Sequence, residues 1–123
     1  MPNRPTHFEI PAENVDRAIA FYSAVFGWKF QKWDGPMPYW LITTGAEGEP
    51  GINGGLLKRE HPNQPVVNTS MVADIDKTLA DVAANGGKQA VPKMAIPGMG
   101  WLAYCLDTEG VMFGIMQADS SAK

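Results

Sequence analysis

Val15-Asp16-Arg17-Ala18-Ile19-Ala20 returns sixty residues later as Ile75-Asp76-Lys77-Thr78-Leu79-Ala80. The match continues through Ala24 and Ala84, then Gly27 and Gly87. Further along, Trp40-Leu41 lies against Trp101-Leu102, and Gly51 to Leu57 against Gly110 to Met116, each one residue out of step. Such slips are single-residue loop differences, which connections tolerate. Two copies at this period make a duplicated half-domain rather than a solenoid. Duplication of this kind places a cleft on the pseudo-twofold between the halves.

Working outward, each copy reads β-α-β-β-β. His7 to Pro11 is a short strand. Asn14 caps a helix whose apolar stripe is Val15, Ala18, Ile19, Tyr22, Val25 and Phe26, and Gly27 ends it. Strands follow at Trp28 to Trp33, Tyr39 to Thr43 and Gly54 to Lys58. The second copy opens with Val67 to Val72. Asp74 then caps a helix ended by Gly86-Gly87, and strands follow at Lys88 to Val91, Trp101 to Leu106 and Val111 to Gln117. The modules span about 5–60 and 65–118, joined by a polar linker over 59–66, within one domain of 1–123. Met94 to Gly100 reads as an apolar loop, either a lid hinged at Gly98 and Gly100 or a cover over a sheet edge. The tail from Ala118 should fray.

Composition narrows the function. The chain has 123 residues, 45% hydrophobic and 19% charged, enough for one real core. A net charge of −3 without a basic cluster predicts no nucleic-acid partner. No apolar run reaches the roughly 18 residues that span a bilayer, and no secretory signal is visible at the N-terminus. A single cysteine, Cys105, cannot form an internal disulfide and reads as a buried, inert thiol. Together these traits predict a cytoplasmic protein with no membrane partner.

The module order resembles the vicinal oxygen chelate superfamily, which includes glyoxalase I, extradiol dioxygenases, fosfomycin-modifying enzymes and bleomycin-binding proteins. The resemblance is carried by His7-Phe8-Glu9-Ile10, by Ala18 to Tyr22 through Phe26-Gly27-Trp28, and by Asp107-Thr108-Glu109-Gly110. It implies an α+β fold of two pseudo-symmetric βαβββ modules forming a curled mixed sheet around a central cleft. It also implies a homodimer, in which exposed strand edges are covered.

In metal-dependent members, ligands sit on the first and last strand of each module. The equivalent positions here are His7, Gly55, Val67 and Gly114. The repeat supports this assignment, pairing His7 with Val67 and Gly55 with Gly114. Glycine and valine donate nothing to a metal, so no cofactor is expected. A divalent ion would need a shifted register that brought in Asn68 or Asn53, or His7 joined by Glu9.

Alternation turns Glu9, Asn53, Leu57, Thr69, Met71, Met112 and Met116 toward the same side as those four positions. His7 and Glu9 are its ionisable pair, readable as acid/base catalysts or as polar groups that satisfy the fold. Asn53, Thr69, Met71, Trp101, Met112 and Met116 are the candidate ligand-binding residues. The methionines would equally serve as core, and Trp40 and Trp101 would equally anchor the core of each half. The expected function is glyoxalase-like, metal-independent binding of a small molecule. The alternatives are a lyase, isomerase or transferase using His7 and Glu9, and a protein-interaction module with a filled cleft.

Overall fold

A computed structural model describes residues 2–123. The elements run β1 (Arg4–Ala12), α1 (Val15–Phe26), β2 (Lys29–Lys32), β3 (Tyr39–Thr43) and β4 (Asn53–Lys58). The second half follows with β5 (Val67–Met71), α2 (Ile75–Ala84), β6 (Lys88–Ile96), β7 (Gly100–Leu106) and β8 (Met112–Ala118). This is the α+β, twice-repeated βαβββ order that the sequence implies. The chain divides into two compact units, one of His7–Val66 and one of Val67–Lys123 together with the residues up to Thr6. The strand β1 is thus divided between them.

Both helices start and stop where local chemistry dictates. The Asn14 side chain accepts from the backbone N–H of Arg17 at 3.0 Å, and that of Asp74 from Lys77 at 3.1 Å. Each cap satisfies an amide that the helix leaves unpaired. Gly27 ends α1 at φ 72, donating its N–H to the Ser23 carbonyl. That left-handed conformation costs glycine nothing. The second helix ends one residue sooner than its glycines suggest. Asn85 takes the cap, and Gly86 follows at φ 93.

In the first unit the strands are ordered β2-β3-β4-β1, with β4 and β1 parallel and the other pairs antiparallel. The core lies between α1 and one sheet face. Ala12, Ile42 and Leu56 are buried there, packed by Phe8, Ile10, Val15, Ala18, Ile19, Trp28, Phe30 and Trp40. The second unit repeats this as β5-β8-β7-β6. Its core is Val72, Ile75, Ala103, Cys105 and Ile115, packed by Leu79, Val82, Trp101 and Phe113. Trp40 and Trp101, related by the repeat, each pack on the core of their own unit. Cys105 is fully buried, and burial pushes its thiol pKa up, so it is a poor nucleophile.

Two expectations fail in the second unit. Met94 to Gly100 is no loop. The strand β6 continues to Ile96, with Met94 opposite Leu102, Ala95 opposite Trp101 and Ile96 opposite Gly100. Only Pro97 to Met99 turns, closed by the Met99 N–H on the Ile96 carbonyl at 2.9 Å. Pro92 and two register shifts, between Gln89 and Val91 and between Val91 and Met94, disguise the strand. Proline is tolerated there because β6 lies at the edge of its sheet. The tail is not frayed either. The Gly98 N–H bonds the Ala122 carbonyl at 2.9 Å, Asp119 accepts from the Trp101 indole at 3.0 Å, and Ala122 is buried.

Candidate functional site

Strand alternation gives each sheet a face that no helix covers. In the first unit, Phe8 and Ile10 point to the α1 core, so His7 and Glu9 point the other way. On β3, Trp40 and Ile42 join the core, which turns Tyr39 and Leu41 to the side of His7 and Glu9. The parallel ladder sets Glu9 opposite Gly55 and His7 opposite Asn53.

Tyr39 organises this face. Its hydroxyl donates to Glu9 Oε2 at 2.9 Å and lies 2.7 Å from His7 Nε2. With the phenolic proton on Glu9, the phenolic oxygen accepts from a proton on Nε2, so the network selects that tautomer. The His7 and Tyr39 rings are nearly parallel, at 13°, and Trp33 meets Tyr39 edge-on with centroids 6.1 Å apart. Glu9 is 9% exposed. Burial lowers the His7 pKa below 6.5, and the Glu9 charge opposes that shift. A neutral imidazole, a phenol and a carboxylate therefore form one continuous hydrogen-bonded chain.

Gly55 makes room for that chain. A Cβ at Gly55 would collide with the Tyr39 hydroxyl and ring. The second unit repeats the device. Thr69 stands opposite Gly114, as Glu9 stands opposite Gly55, and a Cβ at Gly114 would collide with the Thr69 hydroxyl.

The remaining candidates fall in different places. Asn53 is exposed, and its side chain accepts from the Thr44 backbone N–H at 2.9 Å. It thereby anchors the loop between β3 and β4. Thr69 is buried, and Met71, Met112 and Met116 are half-buried, on the helix-free face of the second unit. There Met71 lies opposite Met116, Met116 opposite Leu102, and Leu102 opposite Met94. Trp101 does not share that face. It packs into the α2 core, with Lys93 Nζ 5.0 Å from its ring centroid. Alternation along β7 sends Trp101 and Leu102 to opposite sides, and the core claimed the larger ring.

Tyr39 was absent from the sequence-based candidates. A signal existed, because a glycine on an inward-facing strand position leaves a void that a neighbour must fill.

Comparison with known proteins sets this face in a family. A family model described as bleomycin resistance protein-like N-terminal matches residues 4–45, which span β1 to β3 and so His7, Glu9 and Tyr39. A glyoxylase-like domain-containing protein from Didymella fabae is 36% identical over 107 residues, covering 83% of this chain and 84% of its own. The chain belongs to the vicinal oxygen chelate superfamily, among its glyoxalase-like members. Solved structures share the fold at lower identity. A Streptomyces coelicolor methylmalonyl-CoA epimerase variant in complex with 2-nitronate-propionyl-CoA superposes with a TM-score of 0.71 at 15% identity, covering 100% of this chain and 99% of that one. A hypothetical protein from Bacillus halodurans gives a TM-score of 0.67 at 15% identity, covering 98% and 97%. No helix among the described residues is long and apolar enough to cross a membrane.

The superfamily's metal does not fit the residues present. Of the four ligand-equivalent positions only His7 bears a donor side chain, and its Nε2 already faces the Tyr39 hydroxyl. The space beside Gly55 holds that tyrosine, and the space beside Gly114 holds Thr69. Among the described residues, no three His, Cys, Asp or Glu side chains converge. A divalent ion needs three or four converging donors.

Proposed function

We propose that this chain binds a small, partly apolar molecule without a metal, and that His7, Tyr39 and Glu9 form its polar anchor. The observation that carries the reading is the hydrogen-bonded chain from imidazole through phenol to carboxylate on a sheet face bare of helix. Buried polar groups in a defined geometry orient a ligand, while apolar neighbours supply the contact area. Leu41 and Leu57 flank the anchor in the first unit. The methionine-rich face of the second unit is a further apolar surface, suited to irregular ligands. Membership of the glyoxalase-like family favours small-molecule binding, and the epimerase complexes show acyl-CoA compounds bound on this fold in those proteins.

The same chain supports acid–base catalysis as the second reading. It links a neutral imidazole to a carboxylate through one phenol, so that as the imidazole takes a proton from a substrate its Nε2 proton passes to the phenol oxygen and the phenolic proton to Glu9, leaving the imidazole neutral and the negative charge on the deprotonated substrate. An isomerase or lyase acting on a small substrate would use it directly.

Native mass spectrometry on untagged protein should detect a copurifying organic molecule. That molecule is then titrated into His7→Ala, Glu9→Gln and Tyr39→Phe, with thermal stability measured on the same samples. Affinity should fall more than stability does. Stability lost with affinity intact would assign the three residues to the fold and end this reading.

A further inference from the structure

We infer that Tyr39 is the residue that excludes a divalent metal from the first module, because it fills the ligand position vacated by Gly55 and engages both remaining donors. This rests on the metal-independent reading above and assigns its cause to one side chain.

Three observations converge on Tyr39. The Glu9–Gly55 pairing places a residue at position 55 directly across the parallel ladder from Glu9, two pairs along from His7 and its partner Asn53. A side chain built there would point into the Tyr39 phenol. The phenol hydroxyl in turn lies within hydrogen-bond reach of both His7 Nε2 and Glu9 Oε2. An ion bound by those two atoms would have to stand where the hydroxyl stands. Gly55 alone therefore does not explain the lost site. Restoring a donor at 55 restores nothing while Tyr39 remains, because donor and phenol compete for one volume.

The consequence is a latent site two substitutions deep. Removing the phenol takes away the hydroxyl that stands between His7 and Glu9, an imidazole and a carboxylate that share a strand face two residues apart. Adding a carboxylate at 55 brings the donors to three, the number at which open metal sites form. Nothing is required of the second module, where Val67 and Gly114 bear no donors and Thr69 fills the gap.

The test is calorimetric titration of Ni2+ into untagged, chelator-treated wild type, Tyr39→Ala, Gly55→Glu and Tyr39→Ala/Gly55→Glu, with circular dichroism confirming the fold of each. We expect no saturable binding by wild type or Gly55→Glu, and stoichiometric binding by the double variant. Adding His7→Ala should weaken that binding about tenfold or more, the scale on which a metal site's immediate surroundings act. Where the double variant fails to fold, Tyr39→Ala is read alone, and it should bind Ni2+ more tightly than wild type. Folded variants lacking Tyr39 that still bind no metal would overturn the role of Tyr39 and leave the metal-free reading standing. Wild type binding Ni2+ as tightly as the double variant, through His7, would overturn both.

Discussion

The Tyr39 hydroxyl occupies the volume into which a side chain at Gly55 would grow. The two residues lie on adjacent antiparallel strands, with Leu41 directly opposite Gly55 and Tyr39 two pairs further along, opposite Leu57. Glycine at 55 and tyrosine at 39 thus form one structural unit, and each constrains what the other can be.

Gly55→Ala should destabilise the protein by about 1–3 kcal/mol, the usual cost of overpacking a filled site. The same change in a Tyr39→Ala background should cost much less. Chemical denaturation of the two single variants and the double one gives the coupling, expected at about 0.5–3 kcal/mol for residues in contact. An additive result would mean that Tyr39 swings aside at no cost.

Tyr39→Phe keeps the ring and removes the bridge. Glu9 loses a donor while it stays buried, so stability should fall by about 1.5–3 kcal/mol, the range for hydrogen bonds to charged groups. Urea denaturation near neutral pH measures it. A loss close to zero would place Glu9 chiefly in the hands of its other contacts.

His7 makes stability depend on pH with a definite sign. Burial lowers its folded pKa below 6.5, so the unfolded chain takes up a proton at a higher pH than the folded one. Stability rises with pH wherever the unfolded state binds more protons. The contribution from neutral His7 is therefore complete above about 6.5 and is lost as pH falls through the lowered folded value. His7→Asn should flatten this acid-side loss in denaturation curves. An imidazole resonance of His7 titrating at or above 6.5 would contradict it.

Asn53→Ala should loosen a loop rather than the core. Its side chain accepts from the Thr44 backbone N–H and lies 3.3 Å from the Thr44 hydroxyl. Faster amide exchange over residues 44–52 is expected, with a global cost of about 0.5–1.5 kcal/mol, typical of one hydrogen bond.

The sequence carried the helices well, because Asn14, Asp74 and Gly27 act locally and each satisfies a backbone group in its own turn. It carried the two ladders too. The repeat aligned His7 with Val67 and Gly55 with Gly114, and in the two units Glu9 meets Gly55 as Thr69 meets Gly114. What was hidden depended on distant neighbours. Pro92 looks like a strand breaker until β6 is seen to be an edge, where a missing N–H costs little. Tyr39 looks like one aromatic among several until Gly55 is known to lie beside it. Trp101 could face either side by sequence, and only the position of α2 decides.

The division of β1 bears on how the chain folds. Residues up to Thr6 group with the second unit, while His7 to Ala12 group with the first. The Asn3 N–H bonds the Met71 carbonyl at 2.6 Å, a closure across most of seventy residues. During synthesis residues 2–6 must wait for partners made much later, so the earlier module can form before its own leading strand is fully paired. Non-local closure of this kind slows folding. Removing residues 2–6 should therefore injure the half that is made last.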